Sequence, residues 1–84
     1  VIIVPNSVVH HDSVVGANTL VCANVTVAGH VRVGSGCHLG AASSLKNGIT
    51  LPGRTLLGMA ANATKSWSQE GMVLTGNPAK PHPM

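Results

Sequence analysis

An aliphatic residue returns every six positions along most of this 84-residue chain. Read in blocks of six from Ile3, the openers are Ile3, Val9, Val15, Val21, Val27, Val33, Leu39, Leu45, Leu51 and Leu57. Val, Ile and Leu make up only 22 of the 84 residues. An unbroken run of such openers therefore has a chance probability on the order of one in a million, and the period is real. A period of six matches neither the 3.6 of an amphipathic helix nor the 2 of a simple strand. It does match a short extended piece plus a corner. Three such units close a triangular coil of 18 residues, and successive coils stack as parallel strands about 4.8 Å apart. Each opener then points inward, over its equivalent one coil away. The second place of a block is mostly small, as in Gly16, Cys22, Ala28, Gly34, Gly40 and Gly58, and the fifth is small or β-branched, as in Ser13, Thr19, Val25 and Thr55. These positions let the chain turn without crowding the interior, while Gly and Asn suit the corners. The expected fold is all-β, with about three and a third coils over residues 3–62. Its open ends are unpaired edges that need a cap.

From Ala63 the repeat lapses. ATKSWSQEG reads as a polar loop with Trp67 capping the last coil, MVLT as one more short extended piece, and GNPAKPHPM as a Pro-rich tail that cannot continue a ladder. Residues 63–84 are therefore expected to form a C-terminal loop, short strand and tail. The chain begins at Val1 and not Met, which reads as a segment of a longer protein.

Composition narrows the function. The chain is 44% hydrophobic and 8% charged, with no Phe, no Tyr and one Trp. So small a core, built on aliphatic side chains alone, calls for support beyond a monomer. No apolar run approaches the roughly 20 residues of a membrane span, and low charge with high aliphatic content excludes disorder. Arg32, Lys46, Arg54, Lys65 and Lys80 are scattered singly, without aromatic partners, so no nucleic-acid partner is expected. The net charge of +3 suits a small anionic ligand or simply solubility. Cys22 and Cys37 are too few for a disulfide scaffold and, being out of phase with the coil, read as buried small residues. With no secretory signal, the expected location is cytoplasmic.

Stacking at intervals of one coil also places the polar residues. His11, Gly29 and Asn47 share one column, Asp12, His30 and Gly48 the next, Ala23, Ala41 and Met59 a third, and Leu20, His38 and Leu56 a fourth. The only acid of the repeat, Asp12, is thus beside His11 in sequence and below His30 in space. A neutral imidazole takes a proton from an attacking hydroxyl or amine, and a neighbouring carboxylate fixes its tautomer. A backbone N–H exposed at a glycine stabilises the oxyanion that forms. His11, Asp12 and Gly29 are therefore the candidate acyl-transfer residues, while His10 and His82 read as solvated and His38 as ordinary.

At VVHHDSVVG, AGHVRVG, CHLGAASSL and TGNPAKP the chain resembles the hexapeptide-repeat sugar acetyltransferases of the sialic acid O-acetyltransferase and UDP-amino-sugar N-acetyltransferase group. The resemblance runs from about Asn6 to Pro81, carried by H-D-x-V-(I/V)-G and the G-N-P-A-K tail. It implies a left-handed parallel β-helix, a handedness that the repeat alone does not fix. It further implies acetyl-CoA as acyl donor, a small-molecule acceptor, and a homotrimer with its sites between protomers. In that group His11 would be the general base, Asp12 would raise its basicity, and Gly29 would offer its amide to the thioester oxygen. Ala41 and Met59 would line the cofactor groove. The group commonly has a second, cofactor-contacting histidine where this chain has Leu20, and an N-terminal nucleotide-sugar domain that this sequence lacks. These departures motivate the alternative of a catalytically silent trimeric scaffold. A zinc hydrolase resembling γ-type carbonic anhydrases needs three converging ligands. Two coils on from His10, His11 and His30 stand Lys46, Asn47 and Ser66, so no metal is expected.

Overall fold

The computed structural model describes residues 2–3 and 6–81. The assignment of His82 as a solvated residue, and the last residues of the tail, lie outside that range. Three parallel ladders form a β-solenoid of about 4 turns. The first ladder contains β1 (Ile2–Ile3), β4 (Leu20–Val21), β7 (His38–Leu39), β10 (Leu56–Leu57) and β12 (Val73–Thr75), with β13 (Lys80–Pro81) at its end. The second contains β2 (Val8–Val9), β5 (Thr26–Val27), β8 (Ser44–Leu45) and β11 (Asn62–Ala63), and the third β3 (Val14–Val15), β6 (Arg32–Val33) and β9 (Thr50–Leu51). The register Val9↔Val27↔Leu45↔Ala63 advances by one 18-residue coil per rung. No helix occurs among the described residues, so none is long and apolar enough to cross a membrane.

The openers form the core as expected: Val21, Leu39 and Leu57 are fully buried in one column, and Val27, Leu45 and Ala63 in another. Fifth-place residues point inward beside them, with Val25, Val31, Cys37, Ile49 and Ala61 all buried. Where the fifth residue carries a hydroxyl, that group is hydrogen-bonded. Thr19 Oγ1 donates to the Gly34 carbonyl at 3.0 Å, and Thr55 Oγ1 to that of Pro52 at 2.9 Å. These hydroxyls thus enter the interior without being left unpaired.

Every sixth residue turns the corner in the left-handed region. Asn6, Asp12, Asn18, Asn24, His30, Gly36, Ala42, Gly48, Arg54 and Ala60 all have φ between 55° and 81°. Gly, Asn and Asp adopt this conformation at little cost, whereas Ala and Arg give up roughly 1–2 kcal/mol.

The C-terminal part differs from the sequence reading in two respects. Ala63 still belongs to the winding, since a methyl group suffices to fill the column over Leu45. The tail also does not leave the sheet. After the turn at 76–79, Lys80 and Pro81 pair antiparallel with Thr75 and Leu74. An outermost strand has no neighbour awaiting its N–H, so Pro81 is tolerated there. The polar loop covers the edge of β9. The Trp67 backbone N–H donates to the Thr50 carbonyl at 3.1 Å, the Ser66 hydroxyl accepts from the Thr50 N–H at 2.9 Å, and the buried Trp67 indole N–H has no partner among the described residues. Trp67 packs half-buried against the core.

Candidate active site

The second ladder is flanked by two columns of corners. Along one edge run His11–Asp12, Gly29–His30 and Asn47–Gly48; along the other run Ala23–Asn24, Ala41–Ala42 and Met59–Ala60. Hydrogen bonds tie each column together: the His30 N–H donates to the His11 carbonyl at 3.2 Å, and the Gly48 N–H to that of Gly29 at 3.0 Å.

Gly29 lies directly over the His11 ring. A Cβ built there would stand 3.2 Å from both Cε1 and Nε2 of His11, closer than carbon normally sits to a ring atom. The closeness, and not a left-handed φ, which Gly29 does not adopt, is what favours glycine here; a larger residue would need the exposed His11 ring to give by a few tenths of an ångström. Gly29 itself is buried, and its N–H donates to no backbone carbonyl among the described residues.

Asp12 and His30 occupy the left-handed places of the same two corners. The Asp12 carboxylate stands 3.9 Å from Nδ1 of His30, outside hydrogen-bonding distance, and both side chains are largely exposed. The His11 and His30 rings meet edge to face at 87°, with centroids 5.3 Å apart. One donor atom from each of His11, Asp12 and His30 lies within 4.8 Å of the others. The structure thus gathers His11, Asp12 and Gly29, as the stacking rule expects, and adds His30 as an equal member. The signal for His30 was its place one coil above Asp12.

Ala41 and Met59 lie on the other edge of the ladder and about two and three rungs on from His11, so roughly 15 Å across the ladder and a further ~10–14 Å along the stack separate them from it. Within one chain they do not share a site with His11. They do share a feature with Gly29: like it, they donate no backbone hydrogen bond among the described residues. Ala41 is half-buried, and Met59 is exposed. Cys37 is buried as expected, but Cys22 is only half-buried, and its Sγ stands 3.5 Å from Nε2 of His38. A thiol at the second place of a block reaches sideways to the outward face of the next strand, which the phase of the repeat did not convey. His10 is exposed.

Chemically, the His11 corner offers an exposed imidazole, a neighbouring glycine whose N–H has no backbone acceptor among the described residues, and a carboxylate nearby. That set can move a proton and stabilise an oxyanion on one substrate carbonyl.

No protein-family model matches the chain, and no curated protein matches it by sequence. Among solved structures, it superimposes on UDP-N-acetylglucosamine O-acyltransferase (LpxA) from Moraxella catarrhalis with a TM-score of 0.86 and 30% identity, over 90% of this chain and 29% of that one. A histidine variant of perosamine N-acetyltransferase from Caulobacter crescentus, in complex with CoA and GDP-perosamine, matches with a TM-score of 0.56 and 21% identity, over 98% of this chain and 56% of that one. A maltose O-acetyltransferase from Clostridium difficile matches at 0.56 and 16%, over 93% and 58%. At these lower identities the last two show the fold alone. The chain spans between 29% and 58% of the three. Its winding matches the left-handed parallel β-helix of the hexapeptide-repeat proteins among these neighbours.

Proposed function

We propose that this chain provides the β-helix of an acetyltransferase that moves an acetyl group from acetyl-CoA to an amine or hydroxyl of a sugar or similar small acceptor. The observation that carries this reading is the seat of Gly29 over the His11 imidazole. The acceptor nitrogen or oxygen attacks the thioester carbonyl while a ring nitrogen of His11 takes its proton. Negative charge gathers on the carbonyl oxygen, and the Gly29 N–H donates to it. Collapse of the tetrahedral intermediate breaks the carbon–sulfur bond, and the imidazolium returns its proton to the departing CoA thiolate. Asp12 stabilises the imidazolium electrostatically. Such a base contributes about 10²–10⁴-fold in rate, and an oxyanion donor about 10²–10³-fold.

The acyl donor is supported by the neighbour solved with CoA, and the general chemistry by the transferase names of all three. Ala41 and Met59 contribute to the cofactor groove through unengaged N–H groups. The homotrimer that the resemblance implies would set one protomer's Ala41 edge against another's His11 edge, across the separation that keeps them apart within one chain. Two free cysteines suit the reducing cytoplasm. A silent scaffold is the second reading. It draws on half-buried Leu20, which stands where the resemblance places a cofactor-contacting histidine. Calorimetric titration with acetyl-CoA separates the two. Saturable heat with a thermal shift supports the enzyme, and neither signal at millimolar cofactor supports the scaffold.

A further inference from the structure

We infer that His11, Asp12 and His30 form a binding site for a divalent transition-metal ion, with zinc(II) held by two imidazoles and one carboxylate. The sequence pointed away from a metal because it offered no histidines two coils apart. The structure brings donors together by a shorter route, one from each of two adjacent corners plus a sequence neighbour. Their donor atoms lie within 4.8 Å of one another. Zinc–ligand bonds of 2.0–2.2 Å in a tetrahedron set ligands about 3.3 Å apart, so closing onto the ion requires shifts of about 1.5 Å at most. That is within the reach of side-chain rotation. The His30 and Asp12 side chains are 59% and 70% exposed, and none of the three side chains makes a hydrogen bond among the described residues.

Three features favour the ion. The 3.2 Å backbone bond from His30 N–H to the His11 carbonyl holds the two corners in register, so the backbone part of the site is already ordered. The absent side chain of Gly29 leaves the His11 ring free to turn toward His30. Imidazole with carboxylate is the donor set that suits zinc, copper and nickel, whereas calcium and magnesium prefer oxygen alone. Two nitrogens and one oxygen leave the fourth position to water. Elsewhere, Cys22 and His38 supply only two donors, and Glu70 is engaged by Arg54 at 2.9 Å.

Binding would engage the His11 lone pair that proton abstraction needs. Zinc would therefore inhibit transfer. That consequence rests on the acetyltransferase reading, but the binding itself does not.

The test is calorimetric titration of the full chain with zinc chloride in a non-coordinating buffer, with folding checked by circular dichroism. One equivalent should bind with affinity on the order of micromolar, and His30→Asn and Asp12→Asn should each weaken it about tenfold or more. Asparagine keeps the left-handed corner accessible, so loss of binding is not loss of fold. His38→Ala should leave it unchanged. No heat at millimolar zinc, or equal binding by His30→Asn, would overturn the site; a loss in His38→Ala would move it to the Cys22 pair. Zinc that binds as expected yet leaves transfer undiminished upholds the site and counts against His11 as the base.

Discussion

Gly29 sits 3.2 Å, measured from its would-be Cβ, above Nε2 of His11, and this contact links the repeat to the chemistry. An 18-residue coil sets residue 29 over residue 11, and a glycine there leaves the imidazole undisturbed. Gly29→Ala should therefore push the ring by a few tenths of an ångström. With no left-handed φ to strain at that position, the melting temperature should change little while kcat falls about tenfold or more. Steady-state kinetics beside thermal unfolding check both halves of this expectation.

The corners make a separate prediction. Ala42 and Ala60 hold φ of 61° and 58°, where a methyl group meets the following carbonyl. Ala42→Gly and Ala60→Gly should each stabilise the chain by about 1 kcal/mol, the relief of the left-handed conformation exceeding glycine's entropic disadvantage. Urea unfolding measures this. A destabilisation by either substitution would mean that the corner is not strained as described.

Much of this architecture was legible in the sequence, because the inward column is set by one residue type at one interval. Val21, Leu39 and Leu57 could be placed in one column before any coordinate was known, and so could His11 beneath Gly29. What the sequence hid has physical causes. His30, Ala42, Arg54 and Ala60 accept a conformation their side chains disfavour, because the closed ladder on either side holds the corner, and local propensity carries no trace of that. The return of Lys80 and Pro81 along β12 depends on an edge that exists only once the last coil has formed. The approach of Cys22 to His38 depends on the direction of a side chain at a corner, which periodicity does not report.

Close backbone contact between coils is tested at Gly34. A Cβ at that position would press into the backbone nitrogen of Gly53, and backbone cannot give way as a side-chain tip would. Gly34→Ala should cost about 2–3 kcal/mol. In so small a chain that is enough to lower the denaturant midpoint visibly at unchanged slope.

Cys37 gives stability a pH dependence. Burial pushes its thiol pKa up, against the opposing effect of hydrogen bonds to the backbone of Thr55 and Arg54. The unfolded chain, with an ordinary thiol near 8.5, loses its proton first and so binds fewer protons than the folded chain at alkaline pH. The Cys37 contribution is complete below that value and is lost as pH rises through the folded pKa. Unfolding free energy measured between pH 7 and 10 should fall, about in line with that titration, and should fall less in Cys37→Ala. The same burial should make Cys37 react more slowly than Cys22 with a thiol reagent.

The central claim is that His11 is the base for acetyl transfer. Its most direct test is the rate of CoA release from acetyl-CoA in the presence of amino- and hydroxy-sugar acceptors, comparing the unaltered chain with a folded His11→Ala variant. The account predicts a fall of about 10²–10⁴-fold with acetyl-CoA binding retained. Equal turnover by the two proteins would contradict it.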